Sequence, residues 1–116
     1  MKTLFILNDP PYGTERCYNA VRLAAAVAKR EGEAVKVFLM GDAASCAKGG
    51  QKVPRGVYNI GDMLGAVLRR KGEVSVCGTC MDARGIGDAD LVPGAARGTM
   101  DILTAWTQWA EKVLVF

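Results

Sequence analysis

The sequence predicts an α/β fold, with a mostly parallel sheet of four or five strands covered by helices on both faces. Short apolar runs bounded by turn residues alternate with longer, capped, amphipathic segments along the whole chain. No internal repeat, low-complexity stretch or linker breaks that alternation. The 116 residues are enough for one core and too few for two, so residues 1–116 are read as a single domain.

Each element has its own signal. Thr3–Leu7 is a short apolar strand ended by Asn8-Asp9-Pro10-Pro11. A helix is expected from Thr14, its N-cap, to Arg30. Cys17, Ala20, Val21, Ala24, Val27 and Ala28 share one face, and Gly32 stops it. Val35–Met40 reads as a second strand, followed by a short helix over Ala43–Lys48 with Asp42 as its cap. Gly49–Gly56 holds three glycines and a proline and reads as a loop whose charges are all basic. A helix opens at Tyr58-Asn59, with Ile60, Met63, Leu64, Val67 and Leu68 on its apolar face. Val74–Cys77 is the third strand, with a helical segment starting near Cys80 and a short turn at Asp88–Leu91. Thr99 caps a last helix, on which Trp106 and Trp109 are expected in the core, and Lys112–Phe116 closes the chain as a strand.

Composition narrows the function. Half the residues are hydrophobic and 23% are charged, as in ordinary globular proteins. The net charge of +3 comes with no basic stripe, so direct nucleic-acid binding is not expected. The densest run, Arg69-Arg70-Lys71, falls where a helix should end and suits its dipole. No apolar run is long enough for a signal-peptide core or a membrane span, so a cytoplasmic protein with reduced cysteines is expected. There is no histidine, which excludes Ser-His and Cys-His catalytic pairs and imidazole zinc ligands within one chain.

The segment that carries chemistry is VSVCGTCMDARG, Val74–Gly85. Ligand sites in parallel sheets lie at the carboxyl ends of strands. That rule puts Asn8–Thr14, Gly41–Gly56 and the segment from Cys77 onward on one rim. Cys77 stands at a strand end before a helix start, where backbone N–H groups favour a thiolate. Four uses are open to Cys77 and Cys80: metal binding, disulfide exchange, sulfur carriage, or packing. Structural zinc usually takes two such knuckles, and only one is present. A thioredoxin-like dithiol would have an aromatic residue where Val76 stands. Cys17 and Cys46 read as lone, small core residues on apolar helix faces.

The ordered motifs NDPPYGTE (Asn8–Glu15), FLMGDA (Phe38–Ala43), GQK (Gly50–Lys52), YNI (Tyr58–Ile60), CGTCMDARG (Cys77–Gly85) and the ending EKVLVF (Glu111–Phe116) resemble the DsrE/DsrF-like family. The resemblance covers the whole chain and looks closest to the YchN-like branch. It implies a three-layer α/β/α domain that assembles into trimers or hexamers. It implies sulfur relay, in which a cysteine accepts sulfur as a persulfide and hands it to the next protein. The family's carrier cysteine is followed seven and eight residues later by Arg-Gly, which picks out Cys77 with Arg84-Gly85. Cys80 belongs to the C-x-x-C version of the branch.

Residue chemistry agrees with that transfer. Persulfide transfer is thiol exchange and needs no metal or cofactor. Arg84 and the amides and hydroxyl around Thr79 are candidate anion stabilisers, and Cys80 a candidate resolving thiol. Asn8, Tyr12, Gly13, Lys48 and Gln51 are candidate pocket residues on the rim. Lys52 and Arg55 add positive charge to the same loop. The expected partners are sulfur-donor and sulfur-acceptor proteins and further copies of the chain. The competing reading is a redox-sensing or small-ligand module that uses the dithiol without sulfur transfer. A zinc-bridged oligomer is a third.

Overall fold

A computed structural model describes all of residues 1–116. Five strands form one parallel sheet: β1 (Lys2–Leu7), β2 (Ala34–Leu39), β3 (Glu73–Cys77), β4 (Ala95–Gly98) and β5 (Lys112–Val115). Their order is β4-β3-β2-β1-β5. The chain therefore steps outward from β1 to β4, then crosses the sheet to add β5 beside β1. Four helices make the connections: α1 (Arg16–Ala28), α2 (Ile60–Arg69), α3 (Gly78–Ala83) and α4 (Met100–Trp109). No helix is long and apolar enough to cross a membrane.

The two sheet faces are covered unequally. Phe5, Leu7, Val37, Leu39, Val74 and Val76 point to one side and pack under Val21, Ala24, Ile60, Leu64 and Val67 of α1 and α2. Leu4 and Phe38 point to the other side and meet Leu103 of α4. The period-two alternation of the strands produces this division. Each fully buried large side chain contributes about 1.5–3 kcal/mol of transfer free energy, so the α1/α2 layer dominates stability.

Several sequence expectations shift. Helix α1 begins at Arg16 rather than Thr14, whose hydroxyl accepts from the Arg16 N–H at 3.3 Å and donates to Asp9 at 2.8 Å. The segment after β2 is a 3₁₀ turn over Gly41–Ala47. Asp42 lies inside it, because its carboxylate is drawn to Arg84 instead of the helix end. Helix α3 starts at Gly78, directly after Cys77, rather than near Cys80. Strand β4 is an element the sequence does not announce. Ala95-Ala96-Arg97-Gly98 has little β-propensity and forms because β3 offers it an open edge. Trp106 and Trp109 are both half-buried rather than fully in the core, with Trp106 packed against the Leu4, Phe38 and Leu103 cluster. They flank Lys36, whose Nζ lies 5.0 and 4.5 Å from their ring centres and 3.1 Å from Glu73.

The topological switch point lies between β1 and β5. That crevice is closed, since the Asn8 N–H and side-chain amide both donate to the Phe116 carbonyl, at 2.9 and 3.2 Å. The open chemistry of the rim is displaced to the ends of β3 and β4.

Candidate functional site

Cys77 ends β3 and is also the N-cap of α3. One residue thus has a strand behind it and free helix N–H groups ahead of it. Its sulfur accepts from the Cys80 N–H at 3.4 Å, lies 3.4 Å from the Thr79 hydroxyl, and approaches the Cys80 sulfur to 2.6 Å, inside van der Waals contact. The Gly41 N–H donates to the Cys80 sulfur at 3.2 Å. Cys77 packs with the α4 layer and Cys80 with the α1/α2 layer, so the pair straddles the end of the sheet.

The two thiols are electrically unequal. Partial burial pushes Cys77 up, and the hydrogen bonds from Cys80, Thr79 and their backbone N–H groups outweigh it, leaving Cys77 below the ordinary thiol value. Burial and the proton given to Cys77 hold Cys80 above that value, against the Gly41 N–H and the Arg84 charge. Of the two, Cys77 is therefore the more easily ionised sulfur and Cys80 the one that holds its proton more firmly.

A cavity of about 310 Å³ opens beside Cys77, lined also by Gly78, Thr79, Asp82, Arg97, Gly98, Thr99 and Met100. Arg97 braces it. Its guanidinium reaches Asp88 at 2.7 Å, Asp82 at 3.1 Å and the Gly78 carbonyl at 3.0 Å. Gly78 is required there, because a Cβ would fall 2.8 Å from the Arg97 guanidinium and 3.2 Å from the Gly98 carbonyl. Arg97 thereby holds the first turn of α3, which carries the N–H groups facing Cys77.

Of the residues singled out from sequence, Cys77 and Thr79 line this cavity, and Cys80 touches Cys77 from behind. Arg84 lies on the Cys80 side. It donates to Asp42 at 2.6 Å and to the Cys80 carbonyl at 3.0 Å, so its charge is partly neutralised and acts on Cys80 rather than on Cys77. Asn8 is turned to β5, and its carbonyl approaches Gly41. Tyr12 bonds Gln51 and the Ile60 N–H and stacks on Tyr58, while Gly13 sits against Pro10. Lys48 and Gln51 line a separate cavity of about 250 Å³ at the start of α2. The rim is therefore two sites, one at Cys77 and one at α2. The largest cavity, about 550 Å³, is a groove between α1 and α2 with no cysteine in it.

Arg97, Gly98, Thr99 and Asp82 are site residues that sequence reasoning does not find. The first three sit at the end of β4, a strand without a sequence signal, so the strand-end rule has nothing to act on. Their one local signal is Gly98-Thr99 ahead of an apolar helix, which marks a helix cap and nothing more. Cys17 and Cys46 are not lone residues either. Both are fully buried, and their sulfurs converge on the Asp9 carbonyl at 3.0 and 4.0 Å. No three His, Cys, Asp or Glu side chains gather into a metal-binding group.

Known proteins share this architecture. The chain is 40% identical to protein YchN of Escherichia coli (strain K12) over 116 residues, covering 99% of this chain and 98% of that one. It is 37% identical to the uncharacterised protein MK0008 of Methanopyrus kandleri, covering 96% and 90% of the two chains. The crystal structure of YchN from E. coli superposes with a TM-score of 0.94 at 39% identity, covering 100% of this chain and 99% of that one. The family profile matches residues 1–116 without a gap at either end, and the chain belongs to the DsrE/DsrF-like family.

Proposed function

We propose that this protein is a sulfur carrier that accepts sulfane sulfur as a persulfide on Cys77 and passes it to an acceptor. The observation that carries the reading is the polarised Cys77–Cys80 pair at the mouth of an open cavity. The family supports the same chemistry.

In the loading step the Cys77 thiolate attacks the outer sulfur of a donor persulfide. A Cys77 S–S bond forms, the donor's S–S bond breaks, and the donor leaves as a thiolate that takes up the outer sulfur's proton. The amides of Thr79 and Cys80 and the Thr79 hydroxyl face the sulfur and favour its anionic form. In the unloading step an acceptor thiolate attacks the outer sulfur and Cys77 leaves as thiolate. Cys80 supplies another exit. It attacks the Cys77 sulfur, a Cys77–Cys80 disulfide forms, and hydrosulfide leaves. The disulfide then needs an external dithiol to return to the start. Arg84 lowers the cost of deprotonating Cys80 for that attack. The exposed Lys48, Lys52 and Arg55 offer a basic landing surface to an acidic partner.

In this reading the partners are sulfur-donor and sulfur-acceptor proteins, the chain works as a trimer or hexamer, and it acts in the cytoplasm with no resident cofactor. The second reading, a redox-sensing dithiol, is favoured by the 2.6 Å approach of the two sulfurs. Intact-mass analysis after incubation with a persulfide donor separates them, using wild type, Cys77→Ser and Cys80→Ser. The carrier reading expects a reductant-labile gain of one sulfur atom that disappears only in Cys77→Ser. Absence of any gain, together with ready Cys77–Cys80 disulfide formation under mild oxidant, would leave the redox reading standing.

A further inference from the structure

Beneath the rim lies a second pair of cysteines that the proposed sulfur chemistry does not use. We propose that Cys17 and Cys46 are a redox-modifiable dithiol that closes to an intramolecular disulfide on reaction with a hydroperoxide.

The two thiols come from different elements, Cys17 from the first turn of α1 and Cys46 from the 3₁₀ turn after β2. Their sulfurs meet on one atom, the Asp9 carbonyl, so they face each other rather than pointing into separate pockets. They are also unequal in the way Cys77 and Cys80 are. The proton held by Cys46 lowers Cys17 below the ordinary thiol value, and the same contact with burial pushes Cys46 far up. One sulfur is prepared to attack and its neighbour to resolve. The Asp9 carbonyl that both sulfurs meet begins the loop from Asp9 to Thr14, whose residues Tyr12, Gly13 and Thr14 are exposed and which is held by the Thr14–Asp9 hydrogen bond and by Tyr12 against Gln51, Ile60 and Tyr58. A water-sized oxidant needs only local opening of that loop to reach them.

The chemistry balances. The Cys17 thiolate attacks one peroxide oxygen, an S–O bond forms, the O–O bond breaks and hydroxide leaves. Cys46 then attacks the sulfenic sulfur, an S–S bond forms and the S–O bond breaks. Two thiols and one hydroperoxide become one disulfide and two molecules of water when the oxidant is hydrogen peroxide. The bond would tie α1 to the 3₁₀ turn. That turn carries the Gly41 N–H and the Asp42 carboxylate that contact Cys80 and Arg84, so the bond reports mechanically on the sulfur site.

The test uses the full chain carrying Cys77→Ser and Cys80→Ser, treated with hydrogen peroxide, quenched with an alkylating agent and measured by intact mass. The expected product has lost two hydrogens, takes up no alkyl group when denatured, and returns to two free thiols with dithiothreitol. Peptide mapping without reductant, on this variant and on oxidised wild type, should recover Cys17 linked to Cys46. Two free thiols remaining, oxygen added without a cross-link, or linkage only between chains would each overturn the proposal. Should the double variant fail to fold, mapping of oxidised wild type alone decides between the same outcomes.

Discussion

Ser75 lies in the middle of β3, two residues before Cys77, on the face that looks at α4. It is 4% exposed and its hydroxyl has no hydrogen-bond partner. An unsatisfied buried hydroxyl costs about 1–3 kcal/mol, and alanine removes it with little loss of packing. Ser75→Ala should therefore stabilise the protein by about 1 kcal/mol, a rise in Tm of about 4 °C for a chain of this size. The same hydroxyl crowds β4. A methyl group on Gly98 would overlap it, and would lie 3.1 Å from a Phe38 ring carbon and 3.3 Å from the Ser75 Cβ. Gly98→Ala should cost about 1–3 kcal/mol as an overpacking substitution. In the Ser75→Ala background the closest clash is gone, so the double variant should recover about 1 kcal/mol relative to additivity. Urea unfolding of the four proteins, followed by circular dichroism, measures all three quantities. Strict additivity, or a Ser75→Ala protein less stable than wild type by more than about 1 kcal/mol, would refute the reasoning. The second outcome would mean that the hydroxyl has a partner and holds β3 in place.

The remaining expectations concern the site and its supports. Thr79→Val removes a donor facing the Cys77 sulfur, so the Cys77 pKa should rise toward the ordinary thiol value. Iodoacetamide should then alkylate Cys77 more slowly than in wild type near neutral pH, the two rates converging once both sulfurs are ionised. An unchanged pH profile would assign the stabilisation to the backbone and Cys80 alone. Arg97→Met releases Asp82, Asp88 and the Gly78 carbonyl together, and should slow Cys77 alkylation at neutral pH and lower Tm. If only Tm moves, Arg97 supports the fold without positioning α3 for Cys77. Asn59→Ala removes the side chain that accepts from the Asp62 N–H at 3.0 Å and donates to the Gln51 carbonyl at 3.1 Å. It should cost about 1 kcal/mol in urea unfolding. Leu64→Ala, at a fully buried position between α2 and the sheet, should cost about 2–5 kcal/mol in the same assay.

Much of this molecule is legible in its sequence. Apolar runs such as Thr3–Leu7 and Val74–Cys77, together with the Asn59 and Thr99 caps, are local signals. They act through backbone hydrogen bonding and side-chain periodicity within a few residues, so the α/β alternation and the strand-end place of Cys77 can be read directly. The C-x-x-C spacing and the Arg-Gly that follows it are equally visible. What only tertiary structure decided depends on pairing between distant segments. Strand β4 exists because β3 has a free edge, not because Ala-Ala-Arg-Gly favours extension, and with it come Arg97 and one wall of the Cys77 cavity. Arg84 turns to Asp42, forty-two residues away, and so faces Cys80. Cys17 and Cys46 meet because the loop after β1 and the turn after β2 end side by side on a parallel sheet. Local chemistry chose which residues sit at strand ends. The order of the strands chose which of those ends are neighbours, because a side chain's partners are set by chain crossings that no short window of sequence contains.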